Sequence, residues 1–465
     1  MFAQNKISKY IIASLSILFF SCNKKEKDMN DFSAYFGGEI INSKSQYILF
    51  CKDNNVIDTI YIDKNNKFSK KFDSIVPGMY IIKHSDKTKY VFFDKNDSLN
   101  LRINTKDFEH ASSFYGIGKN KNNFLLEIFA LNIDNKNNLD YHYGKNLKKF
   151  KKSNDSLKDA RTALYLRRKT EIGWNNDFDL YAKAILDFEY FSRLEIYPFA
   201  NPEYTGLEIK DSLPANYYDF RKNIDFNNEK LSEFRPFTRY LAIMLNSMVS
   251  EKNIENEYEK NIEKIKIVDS LISNQKVKNK ILNNIAFMYL LEDQNLENNN
   301  KFLKRYFEIS TDSTQHNEII KIKNSIKNLS KNNRLPNVDF VTTENKKFDL
   351  NKNIDKQTVI VFWTKNAINH YNSAQKRINE LVKKHPNTAF ISINIDQDYD
   401  FWSKLVKYRN DSKATEIQVQ DFSNLKDLWI INKLNRTIIL NKDGSIKEVF
   451  ANIFDDDFED KLKLR

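Results

Sequence analysis

Three regimes of apolar spacing follow one another along the chain. Between residues 32 and 110 the apolar positions come in short runs rich in β-branched and aromatic residues: Tyr47–Phe50, Val56–Ile62, Lys67–Phe72, Met79–Ile82, Tyr90–Phe93 and Leu99–Ile103. Turn-forming residues part them at Asp63–Asn66, Pro77-Gly78 and Asp94–Asp97, and strands punctuated in this way predict an antiparallel β-sandwich. From 121 to 330 the spacing turns helical. Phe178, Tyr181, Ile185 and Phe188 share one helix face, as do Val277, Ile281, Ile285 and Met288. A charged segment over 255–272 carries the stripe Ile262, Ile265, Val268 and Ile272, and a periodic stretch over 230–253 is interrupted near Pro236. No repeat of the tetratricopeptide kind emerges, so this region reads as irregular and all-α.

The last regime alternates strands and helices. Leu335–Phe340 opens a strand and Lys347–Leu350 is its hairpin partner. Thr358–Trp363 and Thr388–Ile395 are continuous apolar runs, as strands covered on both faces require. Helical spacing covers 368–384, 398–409 and 423–430. Thr437–Leu440 and Ile446–Phe450 pair about the Asp443-Gly444 turn. The fold class is therefore multi-domain α+β, with a β-sandwich over 32–118, a helical region over 119–333 and an α/β domain over 334–465. The polar segment Ser330–Arg334 reads as the linker before the last of these.

The first residues have a different use. Lys6 and Lys9 precede an apolar run over 10–20, then Ser21, Cys22 and a sharply polar stretch. A basic start, a short apolar run and a small residue before a cut make a secretory signal over 1–21. The run is shorter than the roughly 20 residues that a spanning helix needs. The placing of Cys22 resembles a lipobox, although Phe19 and Phe20 stand where Leu and a small residue are usual. The resemblance implies a lipidated Cys22, a tether over 22–31 and membrane attachment through the lipid. Asn23 after the cysteine, by resemblance to Gram-negative lipoproteins, favours the outer membrane. The chain carries 74 Lys and Arg against 62 Asp and Glu, a net +12, and loss of the leader with Lys6 and Lys9 leaves 12 − 2 = +10. The basic residues are interleaved with acids and form no stripe, which argues against nucleic acid as a partner. An unidentified protein or peptide is the expected partner. With Cys22 used by the lipid, Cys51 is left alone in a strand pattern and is expected to act as a small hydrophobe.

Two resemblances give the rest. Val56-Ile-Asp-Thr59, Pro77-Gly-Met-Tyr80, Asn96-Asp-Ser-Leu99 and Phe114-Tyr-Gly-Ile-Gly118 resemble the N-terminal β-domain, of unknown function, that precedes thioredoxin-like domains in exported bacterial lipoproteins. Gly116-Ile-Gly118-Lys119 closes that domain. It lacks the first glycine and the hydroxyl residue of a phosphate loop. Over 334–455 the order of elements and Phe362-Trp363 resemble the TlpA-like reductases, in which such a strand leads after three residues into Cys-X-X-Cys at a helix start. Here Ala367 holds the nucleophile position and His370 the resolving one. Asn435 stands where the family has a cis-proline; without proline a cis bond costs about 2.5–4 kcal/mol, so a trans bond is expected. Thiol exchange needs a thiolate and a second, resolving thiol. The resemblance therefore implies a redox-inactive thioredoxin-fold lipoprotein of the cell envelope, a binding or structural module with no catalytic residues, no metal and no cofactor. His370 is expected at the surface. The alternative is a relative of thiol-disulfide oxidoreductases that works with a partner's cysteines.

Overall fold

The computed structural model describes residues 33–43, 45–53, 55–85, 87–136, 142–292, 295–409, 412–431 and 433–463. The expected signal peptide, the tether and Cys22 lie outside the described residues. The chain divides into two compact units, one of residues up to Ile224 with Lys230–Ser247, the other of Asp225–Glu229 with Met248–Arg465.

The first unit opens with eight strands: β1 (Ala34–Ile41), β2 (Tyr47–Lys52), β3 (Asn55–Tyr61), β4 (Lys67–Phe72), β5 (Gly78–His84), β6 (Lys87–Phe93), β7 (Ser98–Asn104) and β8 (Ser112–Ile117). They form two four-stranded sheets, ordered β4-β1-β7-β8 and β3-β2-β5-β6. Pairing is antiparallel throughout except between β1 and β7, which run parallel. The core is aromatic. Phe36, Phe50, Phe93, Leu99 and Leu101 are wholly buried, and the Phe50 ring stacks on Tyr80 at 4.9 Å. Strands β1 and β8 escaped the sequence pattern because glycines interrupt both. At Gly38 (φ +152°) a Cβ would stand 1.9 Å from the Leu101 carbonyl oxygen, so no other residue fits the close approach of β1 to β7.

Helices α1 (Lys119–Lys136), α2 (Leu147–Ile172), α3 (Asn176–Thr205) and α4 (Arg235–Ser250) follow. The stripe Phe178, Tyr181, Ile185 and Phe188 is buried in α3 as its spacing predicts. Asn175 caps α3 through the Phe178 N–H, and Gly206 ends it in the left-handed region. Pro236 does not interrupt a helix. It is the second residue of α4, where its missing N–H has no intrahelical partner to lose.

The second unit contains α5 (Glu257–Leu271), α6 (Gln275–Glu292), α7 (Leu296–Ile309) and α8 (Ser313–Asn328). Met288 departs from its expected stripe and is 44% exposed, while Leu282, Ala286 and Tyr289 are buried. A helix of 3.6 residues per turn drifts off a fixed spacing, and here the buried face follows the drift.

After Leu329 come β9 (Phe340–Val341), β10 (Lys347–Phe348), β11 (Gln357–Trp363), α9 (Ile368–Lys384), β12 (Thr388–Asn394), α10 (Tyr399–Arg409), β13 (Thr415–Val419), α11 (Phe422–Trp429), β14 (Arg436–Leu440), β15 (Ile446–Asn452) and α12 (Phe458–Lys463). The sheet order is β10-β9-β13-β12-β11-β14-β15. β11, β12 and β13 are parallel, and β14 and β15 complete the sheet antiparallel. The result is a mixed α/β domain with a parallel centre and antiparallel strands on both sides. Strand β13 and helix α12 were not anticipated. β13 carries Glu416 and buries Gln418 beside Ile417 and Val419, so the polar residues make a buried strand read as a loop. Ser330–Arg334 does not hang free. The Asn332 N–H donates to the Ile446 carbonyl at 2.8 Å, and the Ile446 N–H donates to the Asn333 carbonyl at 2.7 Å.

Candidate functional site

The candidate site is the corner where β11 becomes α9. β11 ends at Trp363, which is 1% exposed. Thr364 is still extended and its hydroxyl oxygen accepts from the Asn366 N–H at 3.3 Å. Lys365–Ala367 form one 3-10 turn before α9 begins. Asp396, just beyond β12, holds this corner. Its carboxylate accepts from the Thr364 hydroxyl at 2.6 Å, the Lys365 N–H at 2.7 Å and the Asn394 amide at 2.9 Å. The Lys365 ammonium is paired with Asp398 at 2.7 Å and lies 5.3 Å from the Phe401 ring centre.

Ala367 is the N-cap of α9 and supplies no side-chain hydrogen bond to the helix start. His370 follows in the first turn. It is not the surface residue that the sequence suggested: both ring nitrogens are shielded from water and have no hydrogen-bond partner among the described residues. The edge of its ring meets Phe454 at 5.6 Å. Burial pushes the imidazole below its ordinary pKa, so it is neutral near pH 7. Asn435 lies in the turn before β14. Val361 pairs with Thr437, and the same antiparallel register brings Asn435 level with Trp363, at the sheet end from which α9 departs. Among the described residues no peptide bond is cis. The three positions thus belong to one end of one sheet. Cys51 belongs to the first unit, where it is wholly buried in β2; burial pushes its thiol up, and it is the free cysteine of the described residues.

Beneath the corner lies a carboxyl that the sequence did not flag. Glu416 on β13 accepts from the Trp363 indole at 3.2 Å, the Tyr371 hydroxyl at 3.1 Å, the Gln375 amide at 2.8 Å and the Ser412 hydroxyl at 3.0 Å. Tyr371 and Gln375 are four apart on the sheet-facing side of α9, and the Tyr371 and Trp363 rings are 4.0 Å apart. Every donor is neutral. Burial therefore dominates and raises the Glu416 carboxyl to about 7, against which the hydrogen bonds act only in part. The alternation Thr415-Glu-Ile-Gln-Val419 was the signal that could have shown this strand and its inward acid.

No family model matches the chain, and no curated protein matches it. Similarity to solved structures is distant and partial. A thioredoxin-like protein from Bacteroides caccae is 14% identical, with 59% of this chain and 93% of that one covered at a TM-score of 0.35. The thioredoxin domain of a thiol-disulfide oxidoreductase from Bacteroides vulgatus is 14% identical over 29% of this chain and 96% of that one, at 0.24. A thiol:disulfide interchange protein from a Bacteroides species is 15% identical over 25% and 78%, at 0.22. The resemblance is to thioredoxin-like and thiol-disulfide oxidoreductase domains.

What the corner can do follows from its atoms. Ala367 has no nucleophile and His370 has no thiol. Lys365 is engaged by Asp398. Among the described residues no group of His, Cys, Asp and Glu is arranged to hold a metal ion. The corner offers a preorganised backbone loop and an aromatic neighbour in Phe401, while the His370 nitrogens are shielded.

Proposed function

We propose that the chain is a redox-inactive, thioredoxin-fold lipoprotein of the cell envelope that binds a protein or peptide partner or serves as a structural module. One observation carries the reading. Ala367, at the start of the helix that follows β11, and His370 in its first turn carry no thiol, while Asp396 and the Glu416 cluster hold that corner by hydrogen bonds. A well-held corner without a nucleophile suits a domain that works through its surface. The TlpA-like relationship, lipidation at Cys22 and outer-membrane attachment are part of the same proposal and rest on sequence motifs. Among the described residues no helix is long and apolar enough to cross a membrane.

The test is insulin reduction with dithiothreitol as donor, using the full chain. No rate above the donor alone is expected. A rate that survives in the full chain but disappears in Cys51→Ser would overturn the reading. For the anchor, metabolic labelling with an alkyne fatty acid is expected to mark the wild type and not Cys22→Ser; equal labelling of both sinks that part.

A further inference from the structure

The outer face of sheet β4-β1-β7-β8 is built from a row of small and aromatic residues. The register sets Gly37 between Ser69 of β4 and Asn100 of β7, with Tyr115 of β8 beyond Asn100. Tyr35 precedes Gly37 by two residues and shares its face. A Cβ at position 37 would come within 2.8 Å of the Tyr35 hydroxyl oxygen and 3.0 Å of its Cε1, so the tyrosine ring extends over the space that the glycine leaves. In the next row Glu39 and Arg102 are paired at 3.5 Å. Tyr115 is 52% exposed and Tyr61, at the rim, 73% exposed. Together they line an open groove of about 540 Å³.

We propose that this groove binds carbohydrate, as a short neutral oligosaccharide. A pyranose ring has an apolar C–H face and a girdle of hydroxyls. A tyrosine ring lying along a sheet offers a flat partner for the first by dispersion. The Glu39 carboxylate, the Arg102 guanidinium and the Asn100 amide offer acceptors and donors for the second, held at strand spacing and so preorganised. The charge balance speaks against an ionic ligand. Glu39 and Asp63 offset Lys67 and Arg102 along the groove, which leaves no net field to gather an anion or a cation. The groove is open and lined by both polar and apolar atoms, unlike the enclosed apolar cavity that a lipid chain needs. From Tyr35 to Tyr115 the face crosses two strand spacings, about 10 Å, which calls for more than one sugar ring.

The experiment is affinity measurement on the full chain with cello-, xylo-, manno-, malto- and chitotetraose, by isothermal titration. At least one is expected to bind with Kd in the millimolar range or tighter. Tyr35→Ala and Tyr115→Ala should each weaken it at least tenfold at an unchanged melting temperature. Gly37→Ala, which displaces the Tyr35 ring but keeps both phenols, should weaken it as well. Tyr115→Ala keeps the proposal testable if Gly37→Ala does not fold. Absence of binding across the panel, binding indifferent to both tyrosines, or selection of extended peptides instead of sugars on this face overturns the proposal.

Discussion

Glu416 is an acid whose buried surroundings oppose its charge. Its carboxyl is raised from an ordinary value of 4.5 to about 7 in the folded chain, so folding takes up a proton between those limits. The stabilisation is complete below about pH 4.5 and is lost as pH rises through about 7, where the buried group must ionise among neutral donors. The loss is on the order of 3 kcal/mol for a shift of this size. Urea midpoints at pH 5 and pH 8 should fall accordingly in the wild type, and Glu416→Gln should flatten the slope. A wild type as stable at pH 8 as at pH 5 counts against it. His370 works in the other direction. Burial lowers its pKa, so its contribution is present above about 6.5 and is lost as pH falls below that value, through the depressed folded pKa. In the Glu416→Gln background His370→Phe should reduce this acid-side loss, which His142, likewise lowered by burial, shares.

At the scale of elements, the corner between α2 and α3 is tied by Asp179. Burial alone would raise this carboxyl, but hydrogen bonds from Tyr165 at 2.6 Å and Trp174 at 2.9 Å, with Lys169 and Lys183 each at 3.0 Å, outweigh it and hold the group well below the usual carboxylate range. Asp179→Ala leaves a buried indole N–H and a phenol unpaired, a cost of about 3 kcal/mol. Because the folded pKa is depressed, that stabilisation is present above about pH 3.8 and fades as pH falls below it. A denaturation midpoint within 0.5 kcal/mol of wild type, against that roughly 3 kcal/mol cost, would show the cluster to be ornamental. The start of α9 makes a second prediction. Positions 367 and 370 bracket one helical turn, so Ala367→Cys with His370→Cys should place the two sulfurs within reach of a disulfide, whose Cα atoms lie about 4.4–6.8 Å apart. Mild oxidation should close it without intermolecular species. The helix N-terminus should hold the first thiol below the free value of about 8.5. Turnover should stay slow with Asn435 and rise with Asn435→Pro. Mass spectrometry that finds two free thiols after oxidation removes the alignment.

The whole molecule divides differently from its sequence regimes. The helical region is shared: α1 to α3 belong with the sandwich, and α5 to α8 with the C-terminal α/β domain. Within the second unit, Asn332 and Asn333 are hydrogen-bonded to Ile446 in β15, and Arg334 donates to the Asp443 carbonyl at 3.0 Å. A fragment from Glu255 to the end should therefore melt as one transition, at a higher temperature than a fragment from Leu335. Equal melting temperatures would assign the helices no part in that domain's stability. The six sandwich strands named in advance, the α3 stripe, α9 to its ends and the β14–β15 turn could all be read from the chain, because each is a local pattern: alternation, a 3.6-residue period, a cap, an Asp-Gly turn. The helix start that holds Ala367 and His370 and the turn that holds Asn435 were legible for the same reason, as they adjoin the local patterns of α9 and β14. Other features depend on partners far away in the chain. β1 runs through Gly37 and Gly38, whose role exists only against β7. β13 hides as a loop because one of its faces carries Glu416 and Gln418, whose partners lie elsewhere in the chain. Glu416 looks like any surface acid until Trp363, Tyr371, Gln375 and Ser412 close around it, and burial at such a distance in sequence is decided by tertiary packing alone.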